Sequence, residues 1–122
     1  MFKKVKIGGI TVPMLANGAT PIRYKHTFHK DIISEFQIAE NDYSKVASSI
    51  PELAFIMAKQ AEAKEKDISL SLLNEDMFVE WLEQFDPMDL PLAAEQIVNL
   101  YMGNNATSSE SKKKKSEELS VS

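Results

Sequence analysis

At 122 residues, with 43% hydrophobic and 26% charged content, the chain suits one compact domain with a modest core and is too short for a large multi-domain enzyme. The absence of cysteine removes disulfides, thiolate catalysis and zinc-thiolate clusters together. The net charge of −4 hides a polarity, because residues 1–30 carry plus 6, residues 31–103 carry minus 11 and the remainder plus 1.

No basic residue stands between Lys66 and Lys112, whereas Asp67, Glu75, Asp76, Glu80, Glu83, Asp86, Asp89 and Glu95 all fall in that gap. Such polarity can steer a basic partner, draw copies of the chain together head to tail, or act only as a solubilising face. No apolar run approaches the roughly 18 to 20 residues that a bilayer crossing requires, and Met1 opens no export-signal pattern. A soluble, unexported protein is expected, with no membrane partner.

Phe2 to Ile7 alternates apolar and basic residues, Gly8-Gly9 suits a tight turn, and Ile10 to Leu15 is apolar again. This predicts a β-hairpin over 2–15, with Pro13 confining its strand to an edge. Thr20-Pro21 is a helix start, and Tyr24, Phe28, Ile32 and Phe36 recur every fourth residue, with Ile33 and Ala39 beside them. One helix is predicted over about 21–40. Asn41-Asp42 breaks it, and Tyr43 to Ser49 reads as a weak connector ending before Pro51.

A second helix is predicted over 51–66, with Leu53, Phe55, Ile56, Met57 and Ala61 as its apolar side. Asp67 to Leu73 reads as a turn or extended piece. Asn74 is a plausible N-cap for a helix over 74–85, whose Met77, Phe78, Trp81, Leu82 and Phe85 form the densest aromatic cluster of the chain. Asp86-Pro87 ends it. A last helix over 89–102 carries Leu92, Ile97, Leu100 and Tyr101 and stops at Gly103-Asn104. Residues 104–122 hold too little apolar surface to offset the entropy of ordering them, so a disordered polar tail is expected. The fold class is α+β, mainly α: an N-terminal hairpin on three or four helices in one domain over 1–103.

Catalytic chemistry finds no seat. His26 and His29 stand three apart beside Lys25 and Lys30, without a His-Glu-x-x-His pattern or a third ligand, and read as surface histidines. There is no Gly-x-Ser-x-Gly elbow, and Gly8-Gly9 lacks the Gly-Lys-Ser/Thr ending of a phosphate loop. No metal, no cofactor and no enzymatic activity are expected. The six basic residues near the N-terminus form no helix-turn-helix or basic-aromatic stripe, so nucleic-acid binding is not expected either. Phe78, Trp81 and Phe85, rimmed by Glu80, Glu83 and Asp86, are either core or the floor of a groove for an apolar, basic partner segment, with Tyr101 as a further contact.

The opening also resembles a family. Ile10-Thr11-Val12-Pro13-Met14, then Asn17-Gly18-Ala19-Thr20-Pro21-Ile22-Arg23-Tyr24, then Phe28-His29-Lys30-Asp31-Ile32-Ile33 are similar to the tail assembly chaperones of long-tailed phages and prophages of Gram-positive bacteria. Ala54-Phe55-Ile56-Met57-Ala58 and the 78–85 stretch match more loosely, and His29 stands where the family tends to have Gly. The resemblance spans residues 5–103. It implies a non-enzymatic protein of the host bacterial cytoplasm that binds the aggregation-prone tape measure protein, assists tail tube assembly and leaves the finished virion. Homo-oligomers are conceivable. The alternative is a small structural tail component that self-associates and stays in the particle. The family often makes a longer form by ribosomal frameshifting, and Lys112 to Lys115, with adenine-rich codons, is where a slippery site is expected.

Overall fold

The computed structural model describes residues 1–39 and 48–103, and residues 38 and 39 only in their backbone. The Asn41-Asp42 break, residues 43–47 of the connector expected over 43–49, and the tail over 104–122 lie outside them. Two antiparallel strands, β1 (Phe2–Ile7) and β2 (Ile10–Leu15), pair with Val5 opposite Val12 and Ile7 opposite Ile10 across the Gly8-Gly9 turn. Gly8 takes φ +62°, which glycine adopts without steric cost. Alternation puts Val5, Ile7, Val12 and Met14 on the buried face and leaves Lys4, Lys6 and Thr11 exposed on the other.

Met1 and Ala16 exchange both backbone hydrogen bonds at the open end of the hairpin. Counting in twos from that pair, Lys4 opposite Pro13 falls at a non-hydrogen-bonded position. The donor that Pro13 lacks therefore points away from β1, and the ladder loses nothing.

Five helices follow among the described residues: α1 (Thr20–Phe28), α2 (Ile32–Ala39), α3 (Ser49–Glu65), α4 (Glu75–Leu82) and α5 (Asp89–Met102). The α+β, mainly helical class is as predicted, and α5 has the predicted bounds. The single helix expected over 21–40 is corrected to two. His29 turns left-handed at φ 61° while its N–H still bonds to the Lys25 carbonyl, and the Asp31 carboxylate accepts from the Ile33 N–H to start α2. Tyr24, Phe28 and Ile32 stay buried across the break, so the fourfold apolar spacing passes straight through it, whereas Ile33 is 57% exposed.

The 51–66 helix is corrected to start at Ser49, because a proline in the first turn gives up an N–H that has no intrahelical acceptor there. It ends in a left-handed Asp67, with the Ile68 N–H bonded back to Ala63 and that of Asp67 to Lys64.

Twelve of the 17 residues of α3 are buried, which makes it the central element, packed by β2, α5 and α1. Leu53, Phe55, Ile56 and Met57 meet Tyr24, Phe28, Ile97 and the inner face of the hairpin in one core. Two polar clusters cross it. The Tyr24 hydroxyl donates to Glu52 Oε1 at 2.8 Å, and Lys30 Nζ reaches the same oxygen at 2.9 Å. Burial raises the Tyr24 hydroxyl pKa far above its ordinary range, with the Glu52 carboxylate adding to the rise and a bond to Ser49 opposing it. Gln60 Nε2 donates to the Leu15 carbonyl at 2.7 Å and to Thr20 Oγ1 at 2.8 Å, which ties the hairpin exit and the start of α1 to α3.

Candidate functional site: an acid-rimmed aromatic face

Asn74 takes extended backbone, and its side-chain oxygen accepts from the Met77 N–H at 2.9 Å, so α4 begins where predicted, with Glu75 and Asp76 in its first turn. The predicted C-terminus at 85 is corrected to Leu82. Glu83 N–H bonds to Glu80 and Phe85 N–H to Leu82, and these tightened turns lead into Asp86-Pro87. Phe85 therefore sits beyond the helix.

The aromatic stripe packs inward as a chain of rings. Phe78 lies 5.2 Å from Phe28 and 5.5 Å from Phe55, Trp81 lies 5.7 Å from Phe55, and Phe85 lies 5.0 Å from Trp81. These separations are those of tilted and edge-to-face pairs. Yet no residue of α4 is fully buried. Met77, Phe78, Trp81, Leu82 and Phe85 are each half-buried, covered by the core on one side and open on the other. The stripe is both a wall of the core and a surface. Tyr101 stands apart, 5.7 Å from Phe36 on α2, and burial raises its hydroxyl pKa, with the charge of Asp31 adding to the rise.

Glu75, Asp76, Glu80 and Glu83 are exposed around the stripe, as are Val79 and Met88. The ion pairs among the described residues all lie elsewhere, joining Lys30 to Glu52 and both Lys59 and Lys66 to Glu62. The carboxylates of α4 are thus uncompensated locally, and an apolar strip lies among them. Two reciprocal hydrogen bonds join the α4–α5 junction. Asp86 N–H donates to Asp89 Oδ2 at 2.9 Å while Asp89 N–H bonds to the Asp86 carbonyl. The hairpin turn seats against this corner, where a Cβ on Gly8 would stand 2.5 Å from Asp89 Oδ2.

Sequence reasoning missed a second apolar surface. Ile50 on α3 and Pro91, Leu92, Ala94, Glu95 and Val98 on α5 line an open cleft of about 500 Å³. Leu92, one of the apolar residues that the sequence places on the last helix, is 77% exposed, and Leu90, Ala93, Ile97 and Leu100 form the inward face. The signal was present in the spacing, since 90, 93, 97 and 100 fit one helical stripe and 92 falls off it. His26 and His29 are exposed beside Glu75 and Asp76. Among the described residues no group of three or more His, Asp or Glu could hold a metal, and no helix is long and apolar enough to cross a membrane.

No protein-family model, curated protein or solved structure matches the chain.

Proposed function

We propose that this chain is a tail assembly chaperone of the long-tailed phage type, which covers apolar helices of a tape measure protein and releases them to the growing tail tube. The observation that carries this reading is the half-open aromatic stripe of Phe78, Trp81 and Phe85 within a rim of carboxylates that no described basic residue neutralises. An amphipathic helix with one apolar face and flanking lysines or arginines is the complementary shape and charge. The resemblance of residues 10–33 to the family's opening supports the same assignment.

Binding of this kind needs no reaction chemistry, and the polar clusters inside the fold serve packing, joining α1, α3 and the hairpin. The test is co-expression with a tape measure protein of a long-tailed phage. The large protein is expected in the soluble fraction only when the chain is present, and reversing charge with Glu80→Lys and Glu83→Lys is expected to lower that soluble fraction several-fold. Equal solubility with and without the chain rejects the proposal. Purified mature particles are expected to lack the chain.

A further inference from the structure

The sequence beyond Gly103 gathers its positive charge into one block, Lys112 to Lys115, with Glu110 before it and Glu117 and Glu118 after it. The fold offers that block a counterpart. Glu75, Asp76, Glu80 and Glu83 are exposed on and beside α4, and none of them takes part in an ion pair among the described residues. The last turn of α4 also holds no basic residue against the negative end of its dipole.

Geometry lets the two meet. α5 starts at the hairpin turn, where Gly8 lies against Asp89, and stops at the hairpin's open end, where a Cβ on Gly103 would stand 3.6 Å from Met1 Sδ. The length of α5 is about 21 Å at 1.5 Å per residue. Lys112 follows Gly103 by nine residues and Lys115 by twelve, and chains of that length reach at most about 30 Å and about 40 Å. The block therefore reaches back along α5, past the exposed Glu95, to the α4–α5 junction and to Glu83 and Glu80 at the C-terminal end of α4.

We infer that the acidic rim of α4 is covered, in the protein alone, by the Lys112–Lys115 block of the same chain, with its ammonium groups against Glu80 and Glu83 and its lysine stems over the open side of Trp81 and Phe85. Charge and tethering select this occupant. The hairpin end beside Gly103 exposes Lys3, Lys4 and Lys6 and repels the block, so the acidic side is the one it approaches. Exposed ion pairs are weak one by one, but a tether that spans the gap holds the block at an effective concentration on the order of millimolar, at which a contact with a dissociation constant of about 1 mM is half occupied. A basic helix arriving at the face displaces the block; that consequence rests on the proposed function, whereas the contact itself does not.

The test is zero-length carbodiimide cross-linking of the full chain at low salt, with products that join residues of a single chain mapped by mass spectrometry. Links from Lys112–Lys115 are expected to fall on Glu80 and Glu83 and to outnumber several-fold those to Glu65, an exposed carboxylate that follows Gln60, the residue bonded to Leu15 at the hairpin's open end. At about 1 M salt, where the screening length is roughly 3 Å, the links to α4 are expected to fall several-fold. Acrylamide quenching of Trp81 gives an independent reading: it is expected to rise by up to about two-fold when all four lysines are replaced by serine, since a half-occupied cover is lost. The same rise is expected in the unaltered chain at high salt, while the serine variant is indifferent to salt and keeps its far-UV circular dichroism. Links spread evenly over Glu65 and α4, links found only between chains, or quenching unchanged by loss of the lysines overturns the inference. Failure here with a tape measure protein still kept soluble removes the tail contact alone, and success here with no such solubilisation removes the proposed function alone.

Discussion

Trp81→Ala separates a stripe that is wall and surface at once from one that is only core or only surface. Full truncation of a buried aromatic side chain costs about 3–5 kcal/mol. Trp81 is partly exposed, with ring neighbours at 5.7 Å (Phe55) and 5.0 Å (Phe85), so somewhat less than that applies, ring contacts included. The expected loss is about 2–4 kcal/mol, which a domain with about 5–15 kcal/mol in hand survives. At about 4–8 °C per kcal/mol for a chain of this size, the melting temperature falls by roughly 10–30 °C. Urea unfolding followed by circular dichroism measures it, with an unchanged m-value as the sign that the native state is retained. Two flanking substitutions calibrate the result. Phe55→Ala, at a fully buried site, costs more, and Leu92→Ala, at a 77% exposed one, stays within about 0.5 kcal/mol. If Trp81→Ala matched Leu92→Ala, or unfolded the chain as completely as Phe55→Ala, the two-sided stripe would be wrong. Trp81 is the only tryptophan, so its emission in the unaltered chain also reports directly on anything that covers the stripe.

Tyr24 sets an alkaline limit. Its hydroxyl pKa in the fold is raised above the ordinary value of about 10, so the native state holds its proton more tightly than the unfolded one. The stabilisation is complete below about pH 10 and is lost as pH climbs above it; Tyr24→Phe is expected to flatten that part of a stability-against-pH curve. Gly8→Ala combines φ +62° with a Cβ 2.5 Å from Asp89 Oδ2, and a loss of about 2 kcal/mol is expected in chemical denaturation. His29 is left-handed at φ 61°, so His29→Gly is expected to hold or slightly raise the melting temperature while His29→Val lowers it by an amount equivalent to about 1–2 kcal/mol. Equal melting temperatures for the two His29 variants would show that the turn carries no strain.

Local chemistry wrote much of this molecule into its sequence. Alternation around Gly8-Gly9 specified the hairpin and its inward face, Asn74 capped α4, and the stretch from Asp89 to Gly103 delimited α5 to the residue. The break between α1 and α2 was hidden, because the fourfold spacing of Tyr24, Phe28 and Ile32 continues across it and only the left-handed His29 and the cap at Asp31 mark it. The helical start at Ser49 was hidden too, since proline in a first turn reads from the sequence as a boundary.

What a side chain is made of is local, but how far it is covered depends on how much core the other elements leave to it. α3 took the centre and is buried nearly all round, while short α4, lying across Phe28 and Phe55, could cover its aromatic residues on one side only. The sequence by itself determined that Phe78 and Trp81 share one side of α4 among carboxylates. Only the packing of α4 on the finished core decided that this side is half wall and half surface, and that Leu92 faces outward.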